Sequence, residues 1–178
     1  LGVGLSPWPE DFEACQIPWE KRGQRMDEMI EIIRGLMKGD YFGYKGQIFE
    51  MEPIKLCPVP SQPVPILIGG HADAALKRAA RIGDGWISAG TTLEELDDYL
   101  KKLHAFRAGF GREKEPFEIQ NMGASAYTPD GGKRLEEMGV DEVIVAFRDV
   151  YKKQPDTTLE EKLATMRWYA DSVIAKTR

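Results

Sequence analysis

Apolar residues along this chain follow two rhythms, one helical and one of short continuous runs, and they alternate. Leu1 to Leu5 is short and apolar and is followed by glycine and proline signals, as a strand would be. From Glu20 to Met37, Met26, Met29, Ile30, Ile33, Leu36 and Met37 recur at helical spacing, and Gly39 suits the end of that helix. Residues 40–65 keep neither rhythm. Gly43, Gly46, Pro53, Pro58, Pro60, Pro63 and Pro65 disfavour a helix or a central strand there, so the stretch reads as an irregular Pro/Gly-rich insertion. Pro65-Ile66-Leu67-Ile68 then reads as a buried parallel strand broken by Gly69-Gly70.

The alternation continues to the end. Ala72 to Ile82 is predicted helical, with the small face Ala75, Leu76, Ala79 and Ala80 suited to close packing on a sheet. Gly85 to Ala89 is the next strand. Thr92 with Glu95 forms a capping box opening a helix whose stripe is Leu93, Leu96, Leu100, Leu103 and Phe106. Phe117 to Thr128 reads as a strand, Gly131 to Met138 as a short helix, and Glu142 to Phe147 as a buried β-branched strand. A second capping box, Thr158 with Glu161, opens a last helix expected to turn Leu159, Leu163, Met166, Ala170, Val173 and Ile174 inward. The pentapeptide Thr-Thr-Leu-Glu-Glu occurs twice, at Thr91–Glu95 and Thr157–Glu161. Chance is one explanation; equivalent loop-to-helix junctions are the other.

Five strands, each followed by a helix, predict an α/β fold with a parallel sheet. Five units fit an open doubly wound sheet or five-eighths of a (β/α)8 TIM barrel, and the pattern does not separate them. The 178 residues, with 42% hydrophobic and 30% charged, suit one soluble domain, 1–178. The net charge of −5 and the lack of a basic cluster give nucleic acid no footprint. No apolar run approaches the roughly 20 residues of a membrane span, and no signal peptide is visible. Cys15 and Cys57 read as two reduced thiols, so a cytoplasmic location is expected. The chain opens on Leu1-Gly2-Val3-Gly4 as if inside a strand, which suggests a fragment.

The chemistry is most legible at Ile68-Gly69-Gly70-His71-Ala72, where a strand ends, two glycines turn and a helix begins. The first N–H groups of a helix lack intrahelical partners and, with the helix dipole, attract an anion. A phosphate over Gly70, His71 and Ala72 is one reading and a plain βα turn is the other. Trp86, Trp19 and Trp168 would each pack in the core or line a cofactor pocket. Trp8, in the Ser6-Pro7-Trp8-Pro9 loop after a strand, is the best wall for a small-molecule substrate. His104 reads as structural or exposed. With only two histidines and no clustered ligands, no metal site is expected. Glu28 and Glu31, three or four residues from Arg25 and Arg34, read as solvated ion pairs. No catalytic acid or base stands out.

Taken in order, Leu1-Gly2-Val3-Gly4, Phe12, Trp19-Glu20-Lys21-Arg22-Gly23, Arg25, Asp27-Glu28 and Leu36 resemble the luciferase-like monooxygenase superfamily. Tyr44-Lys45-Gly46, Phe49, Pro58, Pro60, Pro65 to Gly70 and Ala79 to Trp86 continue the resemblance, which is dense over residues 1–90 and diffuse beyond. It departs from many members after the first strand, where Leu5-Ser6-Pro7-Trp8 replaces a longer glycine-containing loop. The resemblance implies a (β/α)8 TIM barrel of which this chain holds the last five or so units, an incomplete barrel with 40–65 an ordinary insertion. It also implies an oxidoreductase performing hydride transfer or monooxygenation with coenzyme F420, a deazaflavin, or alternatively with reduced FMN. The turn at Gly69, Gly70, His71 and Ala72, with Trp86, would hold the cofactor. Two raw sheet edges would require a missing N-terminal part or self-association into a homo-oligomer. A truncated non-catalytic or flavin-binding protein, and a doubly wound protein for a phosphorylated ligand, are the alternatives; the long insertion suits the last poorly.

Overall fold

The computed structural model describes residues 1–146 and 157–177. Phe147, expected in the last strand, lies outside the described residues. By contacts the chain divides into two compact units, one of Leu1 with Val3–Pro65 and one of Gly2 with Ile66–Arg178.

The first unit holds two helices, α1 (Pro9–Ala14) and α2 (Arg22–Leu36), and two strands of the 40–65 stretch, β2 (Phe42–Lys45) and β3 (Glu50–Ile54). The prolines did not keep this stretch irregular: β2 and β3 pair antiparallel as a hairpin, with Phe42 opposite Ile54 and Lys45 opposite Glu50. Pro53 is tolerated because a two-stranded ribbon consists only of edges, where a missing N–H breaks no central ladder.

The hairpin is fastened to α2 by Glu28, and here the expectation of a solvated ion pair fails. Glu28 is buried. Its carboxylate accepts the N–H groups of Gln47 (2.9 Å), Ile48 (3.1 Å) and Phe49 (3.0 Å) at the hairpin tip. Burial alone would raise its pKa, but the N–H groups of Phe49, Gln47 and Ile48 together hold it below the usual value. A Cβ at Gly46 would lie 2.6 Å from both the Glu28 carboxyl carbon and the Tyr44 ring, so the close approach needs glycine. Glu31 accepts the Tyr44 hydroxyl at 2.8 Å. Burial, then that bond and the charges of Glu31 and Glu28, push Tyr44 up to about 12.

The second unit is an α/β layer. The sheet has the order β1-β4-β5-β6-β7, Gly2 being the residue of β1 (Gly2–Val3) that belongs to this unit. The remaining strands are β4 (Leu67–Gly69), β5 (Gly85–Ala89), β6 (Glu118–Met122) and β7 (Glu142–Val143). β4 through β7 pair in parallel, and β5, β6 and β7 each lie beside the strand made just before. The helices are α3 (Asp73–Ile82), α4 (Leu93–Gly109), α5 (Pro129–Glu137) and α6 (Leu159–Tyr169), which runs through a π turn at Ala170–Ile174 into α7 (Ala175–Thr177). The expected five strands are therefore present, and the sheet of the described residues is an open one.

The core of this unit is the set the pattern placed inside. Ile66, Ile68, Leu76, Ala79, Ala80, Trp86 and Leu103 have no exposed surface. Leu96 and Leu100 are also buried. Burying such side chains stabilises by roughly 1.5–3 kcal/mol each for the larger ones. Two aspartates set the register at the strand starts. Asp84 accepts the Ile66 N–H on its side chain (2.8 Å) while its own N–H donates to the Ile66 carbonyl (2.8 Å). Asp141 does the same to Ile119, at 2.7 and 2.9 Å.

Three expectations need correction. The strand read from Phe117 to Thr128 stops at Met122, because Ala124–Tyr127 form a 3-10 turn. The last strand is short and open, with Glu142 and Val143 both exposed. In the last helix Val173 is buried as expected, but Leu159, Leu163, Met166, Ala170 and Ile174 are exposed, as is Trp168, and Tyr169 is buried in their place. Spacing identified an apolar stripe, but the hydroxyl of Tyr169, bonded to the Ala126 carbonyl at 2.9 Å, belongs to the face that turns inward.

Candidate functional site

β4 ends at Gly69, and Gly70 carries the chain into α3 with φ of +119°, a conformation L side chains rarely adopt. A Cβ there would also sit 3.0 Å from the Ala75 methyl. Ala72 is the extended N-cap of α3, a helix of 10 residues, and its carbonyl takes the N–H groups of Ala75 and Leu76. Gly70 and Ala72 are exposed, so the start of α3 is open to solvent. Asp73 adds a negative charge in the first turn and faces Lys102 at 3.3 Å. That exposed pair contributes little to stability.

Trp86, expected at a pocket wall, has no exposed surface to offer a ligand. It acts on the turn from beneath: its indole N–H donates to the Gly70 carbonyl at 2.9 Å. This bond fixes the peptide that leads into α3, and it satisfies the one polar atom of a buried indole.

His71 is half-buried. Its ring stacks on Tyr99 at 4.8 Å and meets Trp86 edge-on at 6.1 Å. Burial lowers its pKa below the ordinary 6.5, against the opposing pull of the Glu95 carboxylate. Nε2 accepts the Ala89 N–H at 3.3 Å and lies 3.3 Å from the Ser88 hydroxyl. Ser88 in turn lies 3.2 Å from the Thr91 hydroxyl, which accepts from Asn121 Nδ2 at 3.2 Å. Ser88, Thr91 and Asn121 are all buried. The ends of β4, β5 and β6 thus converge on one polar cluster beside the glycine turn. Gly69, Gly70, His71, Ala72 and Trp86 come together there as read from the sequence. Ser88, Tyr99, Thr91 and Asn121 were missed; the available signal was a polar residue at the C-terminal end of an otherwise apolar strand.

Trp8 belongs to the first unit, where it is the N-cap residue of α1 and half exposed. Its backbone N–H donates to the Ser6 hydroxyl at 3.1 Å, and Ser6 donates to Asp11. Trp19 packs against Phe12 at 5.0 Å with the Arg22 guanidinium 3.7 Å from its ring centre. His104 is exposed. Cys15 and Cys57 are free and exposed. Among the described residues no group of three His, Cys, Asp or Glu side chains could hold a metal ion, and no helix is long and apolar enough to cross a membrane.

The pattern of the luciferase-like monooxygenase family matches residues 1–170. This chain belongs to that family. An uncharacterised protein of Mycobacterium tuberculosis is 49% identical over 177 residues, 99% of this chain and 61% of that protein. The 5,10-methylenetetrahydromethanopterin reductase of Archaeoglobus fulgidus is 30% identical over 160 residues, 90% of this chain and 46% of the reductase. The chain therefore spans about 61% of the length of the first of these relatives and less of the second. Among solved structures, the coenzyme F420 dependent tetrahydromethanopterin reductase of Methanopyrus kandleri superposes with a TM-score of 0.72 at 13% identity, over 99% of this chain and 74% of that one. At that identity the likeness shows the fold, and the fold is the one expected: an α/β arrangement of the family's TIM-barrel type, here with an open parallel sheet.

Proposed function

We propose that this chain contributes the cofactor-holding face of an oxidoreductase that uses coenzyme F420, the M. kandleri reductase being F420-dependent by name. The observation that carries the reading is the turn itself: a glycine at φ +119° clamped by Trp86, opening onto the exposed start of α3. A turn without a Cβ lets an anionic oxygen approach the backbone, and the first N–H groups of α3 would receive it. Gly69, Gly70, His71 and Ala72 would hold the phosphate, with Trp86 keeping the turn in shape. Bound there, the deazaflavin would supply hydride-transfer chemistry, and the protein orientation and electrostatics. Trp8 is the proposed apolar wall for a small-molecule substrate. Eight strands close such a barrel, so the reading requires further strands at the β1 and β7 edges, from a longer chain or a second copy.

Reduced FMN is the second reading, favoured by the same exposed glycine turn, since its phosphate would meet the same N–H groups. A fluorescence titration with F420 and with FMN separates the two. Gly70→Val should reduce affinity for whichever cofactor binds by at least tenfold, since a side chain there blocks backbone approach and opposes φ +119°. Because that variant strains the turn, His71→Ala is measured beside it and is expected to weaken binding under conditions where its unfolding midpoint shows it fully folded. Unaltered affinity in both variants would place the cofactor elsewhere.

A further inference from the structure

The polar cluster at the ends of β4, β5 and β6 has a direction. An amide nitrogen can only donate. Asn121 Nδ2 donates to Thr91 Oγ1 at 3.2 Å, and Thr91 can pass its own proton on to Ser88 Oγ, 3.2 Å away. The Ser88 proton is then left for His71 Nε2, 3.3 Å further on. At this end stands a second group that can only donate, the Ala89 backbone N–H, 3.3 Å from the same Nε2. The Ala89 N–H thus requires Nε2 to be an acceptor, and the run of donors from Asn121 points the same way. A neutral imidazole with an accepting Nε2 carries its proton on Nδ1. Nδ1 has no hydrogen-bond partner among the described residues, and His71 is partly exposed beside the start of α3. Stacking on Tyr99, 9° from parallel, holds the plane of the ring.

We propose that Ser88, Thr91 and Asn121 are positioning residues that fix His71 as its Nδ1–H tautomer, and that this N–H is the donor offered to an anionic oxygen of the ligand. The donor role rests on the cofactor reading above; the tautomer does not, since it is set in the free protein. The charge acting on the ring is the Glu95 carboxylate; Asp73 in the first turn of α3 is paired with Lys102 of α4. A neutral donor gives an affinity for the anion that stays flat through neutral pH, where an imidazolium would strengthen binding as pH falls.

The test is a long-range proton–nitrogen NMR spectrum of the 15N-labelled protein at neutral pH. The chain has 2 histidines, so His104→Gln assigns the signals. The expected spectrum shows His71 with Nδ1 protonated and Nε2 bare. Ser88→Ala and Thr91→Val should each turn this into a mixture of tautomers, and Thr91→Ser should restore the single form. A protonated Nε2 in the unmodified protein would overturn the proposal. So would a single unchanged tautomer in both variants, because the Ala89 N–H alone would then suffice. Coenzyme F420 is added next. Binding that shifts Nδ1 supports the donor role. Binding that leaves both His71 nitrogens unmoved overturns it and spares the cofactor reading. No binding overturns the cofactor reading and the donor role together, the tautomer having already been decided.

Discussion

The same five residues begin two helices of this protein, and only one of the two places is wired into the polar cluster. Thr91–Glu95 and Thr157–Glu161 both form complete capping boxes: the threonine side chain accepts the N–H three residues on, and the glutamate returns to the threonine N–H. The leading threonines differ. Thr91 stands between Ser88 and Asn121 with both bonds made. Thr157 has a buried hydroxyl with no partner among the described residues. A capping box is local and comes with the sequence that encodes it. A hydrogen-bonded cluster depends on what distant strands supply, here a serine at the end of β5 and an asparagine in β6.

The contrast can be broken most strongly at those leading threonines. Thr91→Val should destabilise by about 1–3 kcal/mol, because it strands the Asn121 amide in the interior. Thr157→Val should be neutral or stabilising, since it removes a hydroxyl that is desolvated without a bond. Urea unfolding of both variants reads the difference, and equal losses would mean the two environments are alike. A smaller and matched effect is expected one residue on. Thr92→Ala and Thr158→Ala should each cost about 1 kcal/mol, the usual value of a threonine cap. A large inequality there would show that the boxes are not equivalent after all.

The mildest probe is pH. Glu95 and Glu161 are both held below their ordinary 4.5, first by the backbone N–H of their capping threonines and then by the threonine side chains. A depressed folded value means that each contribution is complete above 4.5 and is lost as pH falls through the folded value. His71 adds a step at the first junction only. Burial depresses its pKa below 6.5, so its share is intact above that value and is lost as pH drops. Amide protection of Glu95 should therefore begin to decline with pH earlier than that of Glu161. Parallel decline would uncouple His71 from its junction.

Local signals in the sequence were read well because they are complete within a few residues. The two capping boxes, the glycine turn at Gly69-Gly70 and the Ile66–Ile68 strand needed nothing from far along the chain. Signals that depend on distance were lost. Glu28 resembled a surface carboxylate because its three N–H partners come from 19 to 21 residues away. Asn121 is 30 residues from the threonine it bonds. The apolar stripe of α6 gave the period of the helix but not its facing, which Tyr169 sets by reaching Ala126 across 43 residues. Trp86 was legible as a core residue, but not the bond of its indole N–H to Gly70, 16 residues away.

The aspartate hooks at the strand starts bear on how such a chain comes off the ribosome. Asp84 grips Ile66 and Asp141 grips Ile119, so each hook holds a residue made about twenty positions earlier. From β5 to β7 every strand docks beside its immediate predecessor. Synthesis can thus extend this sheet at a single growing edge, and no strand has to be inserted between two already in place. The short spans between partners keep each closure cheap in entropy. On the growing side only one strand edge is then open at a time, which limits the surface open to mispairing there while the chain is still being made.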